Sequence, residues 1–175
     1  MKLSVDKIPD EGLALNYREP ADSFDYLKKE GVEAGAEIAG PINVAVQAQK
    51  RSGGIAISGQ LQGSAAMTCS RCLDEITEDI SHEFSYNCLP HEAIQEEKEE
   101  LTMENMDLCY YSGGEIDITA LVHEQVALVL PMRPLCKEDC KGLCPECGAN
   151  LNKGDCWCRK EPVDLRLAAL KNIKI

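Results

Sequence analysis

The sequence lacks long apolar runs and any excess of positive charge. No part of its 175 residues approaches the roughly 20 uncharged residues that a membrane-spanning helix needs. The first residues, MKLSVDKIPDEG, do not join a basic region to a continuous apolar segment, so no secretory signal is expected. The formal charge of -12 disfavours general attraction to nucleic acid or to anionic membranes, because both require cationic side chains that face phosphates. We therefore expect a cytoplasmic protein with no membrane partner.

Recognisable enzyme motifs are also lacking. Nothing near the three histidines, His82, His91 and His123, assembles a nucleophile, a base and an oxyanion site. The stretch SGGIAISG is better explained as a hairpin turn than as a phosphate-binding loop. We therefore expect no enzymatic activity and no small-molecule substrate.

The negative charge is unevenly spread. Residues 1–131 carry a formal charge of -15, whereas residues 132–175, which we call the tail, carry +3. An anionic partner would therefore contact the tail. Four thiolates around a divalent ion would add about two negative charges there and reduce this preference.

Alternation of apolar and polar residues predicts an antiparallel β-rich domain. The alternation runs over residues 42–48 and resumes over residues 55–57 after a turn signal at residues 52–54. It continues through residues 61–69 and 76–88, interrupted by CSRCLDE. The economical interpretation is a meander of four or more strands.

A helix near residues 118–130 is predicted to pack against this sheet. Asp117 is a suitable N-cap, and the apolar residues that follow recur with a period near the 3.6 residues of a helical turn. The pattern ends before Pro131. A further helix is predicted near residues 22–29. Packing one helix against the sheet would bury the apolar face of each, which predicts an α+β fold.

The chain divides into two predicted parts. Residues 1–131 form the β-rich domain, with an acidic loop at residues 91–104 that holds six glutamates and one lysine. Residues 132–175 form a small cysteine-rich, zinc-binding tail with a short C-terminal helix.

Six of the ten cysteines lie in the stretch CKEDCKGLCPECGANLNKGDCWC. Because cytosolic thiols stay reduced, clustered cysteines there are more often metal ligands than disulfides. In CPECG, Cys144 and Cys147 can place both sulfurs on one ion, and in an extended CWC, Cys156 and Cys158 project to one side. Turn-forming residues between the pairs allow them to meet. These four cysteines predict a structural zinc site.

A catalytic zinc is not indicated, because no histidine lies within or after this cluster. The upstream pair, Cys136 and Cys140, fits one face of a helical turn that begins after Pro134 and stops at Gly142. These two thiols could bind the same ion, support its ligands, or belong to a two-metal cluster.

The motif CSRC places Cys69 and Cys72 at the bend between two predicted strands. The pair could be a redox dithiol, a set of metal ligands with His82 or with tail thiols, or a structural thiol pair. The last interpretation is preferred, because the flanking strands lack the βαβ setting of dithiol enzymes. Cys88 and Cys109 are expected to be ordinary buried thiols.

Four blocks occur in order: CSRCLDE, GGEIDITALVHEQVALVLPMRPLC, DCKGLCPECGANLN and CWC. Together with DLRLAAL near the C-terminus, they resemble the YceD family, the large ribosomal RNA subunit accumulation proteins, over residues 69–164. The tail is similar to the cysteine-rich branch of that family, whose other members keep only the C-x-R-C bend. The resemblance implies that a tail metal stabilises a local module, and that Cys69, Arg71 and Cys72 share a role.

The resemblance also implies a part in the accumulation or maturation of large-subunit ribosomal RNA, without an established enzymatic reaction. The expected partner is a precursor of that RNA or a basic ribosomal protein. Because residues 1–131, which we call the body, are acidic, contact with RNA would be limited to a few basic residues. The candidate basic residues are Arg71, Arg133, Lys137, Lys141, Arg159 and Lys160. The alternative is a thiol redox-responsive protein that uses Cys69 and Cys72.

Overall fold

The computed structural model describes residues 1–28, 36–51, 53–91 and 107–158. Within these residues the chain forms eight strands, two 3₁₀ helices and one α-helix. In chain order the elements are β1 (Lys2–Ser4), a 3₁₀ helix (Val5–Lys7), β2 (Leu13–Glu19), a 3₁₀ helix (Ala21–Lys28), β3 (Glu37–Ile38), β4 (Ile42–Arg51), β5 (Gly54–Thr68), β6 (Glu75–Pro90), β7 (Leu108–Tyr111), β8 (Glu115–Asp117) and α1 (Ile118–Val129).

Most strands belong to one sheet with the order β2-β4-β5-β6-β7. Its centre is the antiparallel meander of β4, β5 and β6, as the alternation of apolar residues predicts. β3 pairs with β5 beyond the end of β4, and β1 pairs with β8 in a separate antiparallel pair. The α+β, strand-rich class is confirmed. β7 joins β6 in parallel, a pairing that the predicted meander did not include.

The buried face of the sheet carries the apolar side chains of the alternating pattern. Ile42, Val44 and Val46 of β4 are buried, while the residues between them are exposed. Along β5, Gly59 and Gly63 interrupt the apolar series because larger side chains occupy their space, the Phe84 ring at Gly59 and the Ile42 side chain at Gly63. One face of the sheet is therefore the core, and the other is polar.

The helix α1 covers this buried face. Asp117 caps it as predicted, since its Oδ1 accepts a hydrogen bond from the Ala120 N–H at 3.3 Å. Its buried residues are Ile118, Val122 and Val126. Gln125 joins α1 to β6, because its side-chain amide hydrogen-bonds both His82 and Tyr86.

The helix expected near residues 22–29 is present as the 3₁₀ helix Ala21–Lys28. Its Phe24 and Leu27 are buried, and the Phe24 ring lies 4.5 Å from the His123 ring of α1, measured between centroids. In the described parts of the chain, no helix is long and apolar enough to cross a membrane.

The expectation that Cys88 and Cys109 are separate buried thiols is wrong. The parallel pairing of β6 and β7 places them directly opposite each other with their Cα atoms 4.4 Å apart, and they form a disulfide. Two cysteines 21 residues apart carry no local signal of this pairing, which depends on where β7 enters the sheet.

Two predicted features fall on other residues. Apart from His91, the acidic loop at residues 91–104 lies outside the described residues, and so does the short C-terminal helix of the tail.

Candidate metal centre

The first candidate centre is formed by CPECG and CWC, and we call it the tail cluster. The sulfur atoms of Cys144, Cys147, Cys156 and Cys158 all lie within 4.8 Å of one another. Four thiolates held tetrahedrally at ~2.3 Å from an ion have sulfurs about 3.8 Å apart, so the group has a suitable size. The structure brings these four residues together, and their binding of a metal stays a prediction.

Local hydrogen bonds explain the shape of the CPECG turn. The N–H of Cys144 donates to the Ala149 carbonyl at 2.8 Å, and the N–H of Gly148 donates back to the Cys144 carbonyl at 2.9 Å. Gly148 has a φ of +72°, which glycine adopts without strain. A β-bridge between Leu143 and Asn150 closes the base of the turn.

The electrostatics of the tail cluster favour a cation among the sulfurs. The backbone N–H groups of Cys147 and Glu146 lower the pKa of Cys144 to about 7. The adjacent Cys147 raises the pKa of Cys158 to about 12, because neighbouring sulfurs resist carrying charge together. A divalent ion that replaces the shared protons would relieve this repulsion. Four thiol ligands leave no open coordination position, which suits a structural site.

A second group of sulfurs joins the β5–β6 bend to the tail, and we call it the junction cluster. Its members are Cys69, Cys72, Cys136 and Cys140, whose sulfurs lie within 4.8 Å of one another. The Cys69 and Cys140 sulfurs are 3.8 Å apart, and those of Cys72 and Cys136 are 3.6 Å apart. Of the alternatives that the sequence left open for CSRC, the structure matches the one in which Cys69 and Cys72 lie beside thiols of the tail.

His82 is not part of the junction cluster. Its Nε2 is 2.9 Å from Gln125 Oε1 on α1, so the histidine alternative for CSRC has no support in this arrangement.

Hydrogen bonds hold the bend against the tail around the junction cluster. The Ser70 N–H donates to the Pro134 carbonyl at 2.9 Å, and the Leu143 N–H donates to the Arg71 carbonyl at 3.1 Å. Arg71 Nη1 donates to the Cys140 carbonyl at 2.9 Å. The bend and the tail are thus packed through both backbone and side chain.

The helical turn expected between Pro134 and Gly142 is wrong. The segment contains only bends and one turn, in which the Cys140 N–H donates to the Lys137 carbonyl at 3.1 Å. The carbonyl groups of Pro134 and Cys140 accept hydrogen bonds from the bend, so they do not take part in a regular helix.

A carboxylate beside the bend contacts the turn that follows CPECG. Asp74 accepts hydrogen bonds from the Asn150 side chain at 2.8 Å and from Lys153 Nζ at 3.2 Å. The bonds from Lys153 and Asn150 lower the pKa of Asp74 below its usual value. The sequence carried no signal of this contact, because the partners lie more than 70 residues apart.

Two of the predicted basic residues lie together. Arg71 and Arg133 line one open groove of about 490 Å³ beside the junction cluster. Leu73 and Met132 line the same groove and are 63% and 88% exposed. Two basic residues and two exposed apolar residues therefore line the same groove.

Of the other predicted basic residues, the structure describes two, Lys137 and Lys141, and neither lines this groove. Lys137 and Lys141 are exposed on the tail, and Lys137 Nζ lies 3.8 Å from the Asp139 carboxylate. Arg159 and Lys160 lie outside the described residues.

The chain is similar to proteins linked by name to large-subunit ribosomal RNA. A homologue in Arabidopsis thaliana, "Large ribosomal RNA subunit accumulation protein YCED homolog 1, chloroplastic", is 26% identical over 196 residues, covering 99% of this chain and 58% of the relative. The protein of the same name in Zea mays is 27% identical over 164 residues, covering 79% and 55%. An uncharacterised protein of Mycobacterium leprae is 28% identical over 143 residues, covering 79% and 60%.

The chain thus spans 55% to 60% of the length of these relatives. No solved structure matches it. The family model described as "Large ribosomal RNA subunit accumulation protein YceD" matches residues 57–174, a span that begins within β5 and includes β6, α1 and both cysteine clusters. Because this match covers well over half of the sequence, the chain belongs to the YceD family.

Proposed function

We propose that this protein is a non-enzymatic factor that supports accumulation of large-subunit ribosomal RNA by binding a precursor of the large subunit. Family membership over residues 57–174 is the observation that carries the proposal, and it supports a role in ribosome biogenesis. The cytoplasmic location expected from the sequence is part of the proposal, and the two plant relatives are chloroplastic by name.

The groove at the junction is the proposed contact with RNA. Arg71 and Arg133 lie in it together, and guanidinium groups bind phosphate through paired N–H donors. The bond from Arg71 Nη1 to the Cys140 carbonyl restrains the position of that guanidinium group. Local contact of this kind is compatible with an acidic body, because a guanidinium–phosphate bond acts at short range while salt screens the more distant carboxylates.

A zinc ion is part of the same proposal. Thiolates are soft ligands that select zinc over magnesium or calcium, and the tail cluster presents four of them. Bound there, zinc would supply structural stabilisation of the tail. Cys144 and its three partners would hold the ion, while the CPECG turn keeps the first two sulfurs on one side.

The test is recovery of bound partners from cells. The full chain is tagged and cross-linked, and the attached RNA and proteins are identified against an untagged control. We expect enrichment of large-subunit precursor RNA, at least threefold weaker for Arg133→Gln than for the wild type. Arg51→Gln, an exposed change at the end of β4, is the matched control and is expected to bind as the wild type does. Recovery of neither large-subunit RNA nor any ribosomal protein would overturn the proposal.

A basic ribosomal protein is the second candidate partner, and the charge of the body favours it. Residues 1–131 carry a charge of -15, and β6 exposes carboxylates at every fourth position: Glu75, Asp79 and Glu83. In the same experiment, cross-links to one basic ribosomal protein without RNA would support this candidate in place of direct RNA binding.

The thiol redox alternative has one supporting observation. Burial raises the pKa of Cys69, but the backbone N–H groups around its sulfur lower it overall to about 6. Cys69 and Cys72 are both buried, however, whereas redox-active thiols are partly exposed. Rapid alkylation of Cys69 in freshly purified, metal-free protein would favour this alternative. Slow alkylation with bound metal would favour the structural role.

A further inference from the structure

We propose that the junction cluster is a second metal site, in which a zinc ion held by Cys69, Cys72, Cys136 and Cys140 fastens the tail to the β5–β6 bend. This site is separate from the tail cluster that the sequence predicts. It goes beyond the proposed function, because it concerns how the chain is assembled, whatever partner the groove binds.

The CSRC bend repeats the backbone of the CPECG turn. In each, the N–H of the first cysteine donates to the carbonyl five positions on, and its carbonyl accepts from the N–H four positions on. The two distances are 2.9 and 3.0 Å in the turn 69–74, and 2.8 and 2.9 Å in the turn 144–149. Two segments with different sequences therefore adopt one hydrogen-bonding pattern, which is the pattern of the predicted zinc-binding turn.

The N–H groups directed at sulfur are also repeated. In both turns, the first cysteine sulfur receives the backbone N–H groups of the residues two and three positions on. Hydrogen bonds to a ligand atom orient it toward a metal. The bend is thus prepared for a ligand role in the same way as the tail turn.

Leu73 has a backbone conformation that is unusual for a residue with a side chain. Its φ is +60°, and it is the one non-glycine residue with a positive φ in the described part of the chain. The corresponding residue in CPECG is Gly148, with a φ of +72°. A leucine is unfavourable in this region, so the surrounding structure must hold the bend in the form of a metal-binding turn.

The sulfur distances fit a tetrahedral ion. The separations of 3.8 and 3.6 Å are close to the value of about 3.8 Å expected for four thiolates around zinc. They are far longer than the roughly 2 Å of a disulfide. The Asn152 side chain donates a hydrogen bond to the Cys140 sulfur at 3.2 Å. Hydrogen bonds to ligand atoms from residues that do not touch the metal orient those ligands.

The proposed ion would close a long loop. Its ligands come from two segments 64 to 71 residues apart, as the pairs Cys72–Cys136 and Cys69–Cys140 show. A clip across such a loop stabilises the folded arrangement, since it removes much of the freedom of the open chain. The same clip brings Arg71 and Arg133 to one groove.

The first test counts metal ions per chain. Full-length protein is prepared reduced and metal-free, reloaded with zinc and freed of excess, and its metal content is measured by mass spectrometry. We expect two ions for the wild type, one for Cys136→Ala, one for Cys158→Ala and none for the double variant. The two single variants are matched, because both residues are exposed and lie in different clusters.

The second test uses hydrogen exchange to show where the structure loosens when an ion is lost. It follows two backbone amides, those of Ser70 and Leu143, which donate hydrogen bonds between the bend and the tail. Their exchange is expected to rise at least tenfold in Cys136→Ala and to change less than twofold in Cys158→Ala. A single ion that Cys136→Ala keeps and Cys158→Ala loses, or a metal content unchanged by Cys136→Ala, would overturn the proposal.

If Cys136→Ala does not fold, cobalt titration of Cys158→Ala replaces it. Sulfur-to-cobalt absorption that saturates at one equivalent in Cys158→Ala supports the junction site, and the absence of that absorption refutes it. Neither assay contains RNA or a ribosomal protein, so failure to bind a ribosomal partner would leave these results unaffected.

Discussion

Leu73 shows how one residue reports on the arrangement around it. It occupies the position in CSRCL that glycine occupies in CPECG, and both residues have a positive φ. For an amino acid with a Cβ atom, this conformation costs about 1 to 2 kcal/mol. Leu73 is 63% exposed, so little of that cost is offset by burial of its side chain.

Replacement of Leu73 by glycine is therefore expected to stabilise the protein by up to about 1 kcal/mol. Relief of the strained φ outweighs the greater freedom of glycine in the unfolded chain, which costs about 0.4 to 1 kcal/mol. The measurement is the free energy of unfolding of the metal-loaded protein in a denaturant titration.

The matched variant is Gly148→Ala. A Cβ atom there would meet nothing within 4 Å, so the change introduces backbone strain alone. We expect a loss of about 1 kcal/mol. If both variants shifted stability in the same direction, the equivalence of the two turns would be contradicted.

Among the elements, the centre of the sheet depends on close packing of β5 against its neighbours. A Cβ atom at Gly59 would overlap the Phe84 ring and approach the Ala45 carbonyl to 3.1 Å. We therefore expect Gly59→Ala to destabilise the protein by about 1 to 3 kcal/mol through overpacking. Gly40→Ala is the control, because a Cβ atom at that position would meet nothing within 4 Å. The thermal midpoint of unfolding of this variant is expected to match that of the wild type. Equal midpoints for both variants would contradict this account.

The edge formed by β6 and β7 depends on a covalent link. The disulfide between Cys88 and Cys109 spans 21 residues, and closing a loop of that length stabilises a fold by about 3 kcal/mol. Cys109→Ser is expected to lose about that amount in an unfolding titration under oxidising conditions. Under strong reduction the wild type and the variant should unfold alike, and a persisting difference would argue against the bond.

The elements that the sequence predicted well are those with local signals. The β4–β5 hairpin and α1 follow from apolar spacing, from the turn and from the Asp117 cap, all of which act within a few residues. The pairing of Cys88 with Cys109, and of the CSRC bend with the tail, depends on the path of the whole chain. Such contacts leave no local period in the sequence. The sequence therefore offered tail thiols only as one alternative for CSRC, and it did not indicate the pairing of Cys88 with Cys109.

For the whole molecule, the main core and the junction are separate buried groups. Cys69, Cys72 and Cys140 form a small cluster of their own, distinct from the core between the sheet and α1. Among the described tail residues 132–158, the buried side chains are those of Pro134, Cys140 and Cys144, so this segment has little apolar core of its own. Metal binding would supply the missing stability. The small cluster contains residues from both sides of the predicted boundary between residues 1–131 and 132–175, and that boundary stays a prediction.

Removal of metal by a strong chelator is thus expected to release the tail and leave the sheet folded. Limited proteolysis should then cut within residues 135–158 at least tenfold faster, while a fragment containing β4 to β6 persists. Chelator already saturated with zinc is the control. Loss of the whole protein at one rate, with no persistent fragment, would show that the two parts unfold together.

The most direct measurement of the central claim is X-ray absorption at the metal edge of native protein purified under reducing conditions, combined with the metal content per chain. We predict two zinc ions per chain, each with four sulfur neighbours at ~2.3 Å and no lighter ligand. A chain that carried no metal while its tail stayed protected from proteolysis, or zinc bound mainly through nitrogen or oxygen, would contradict the account.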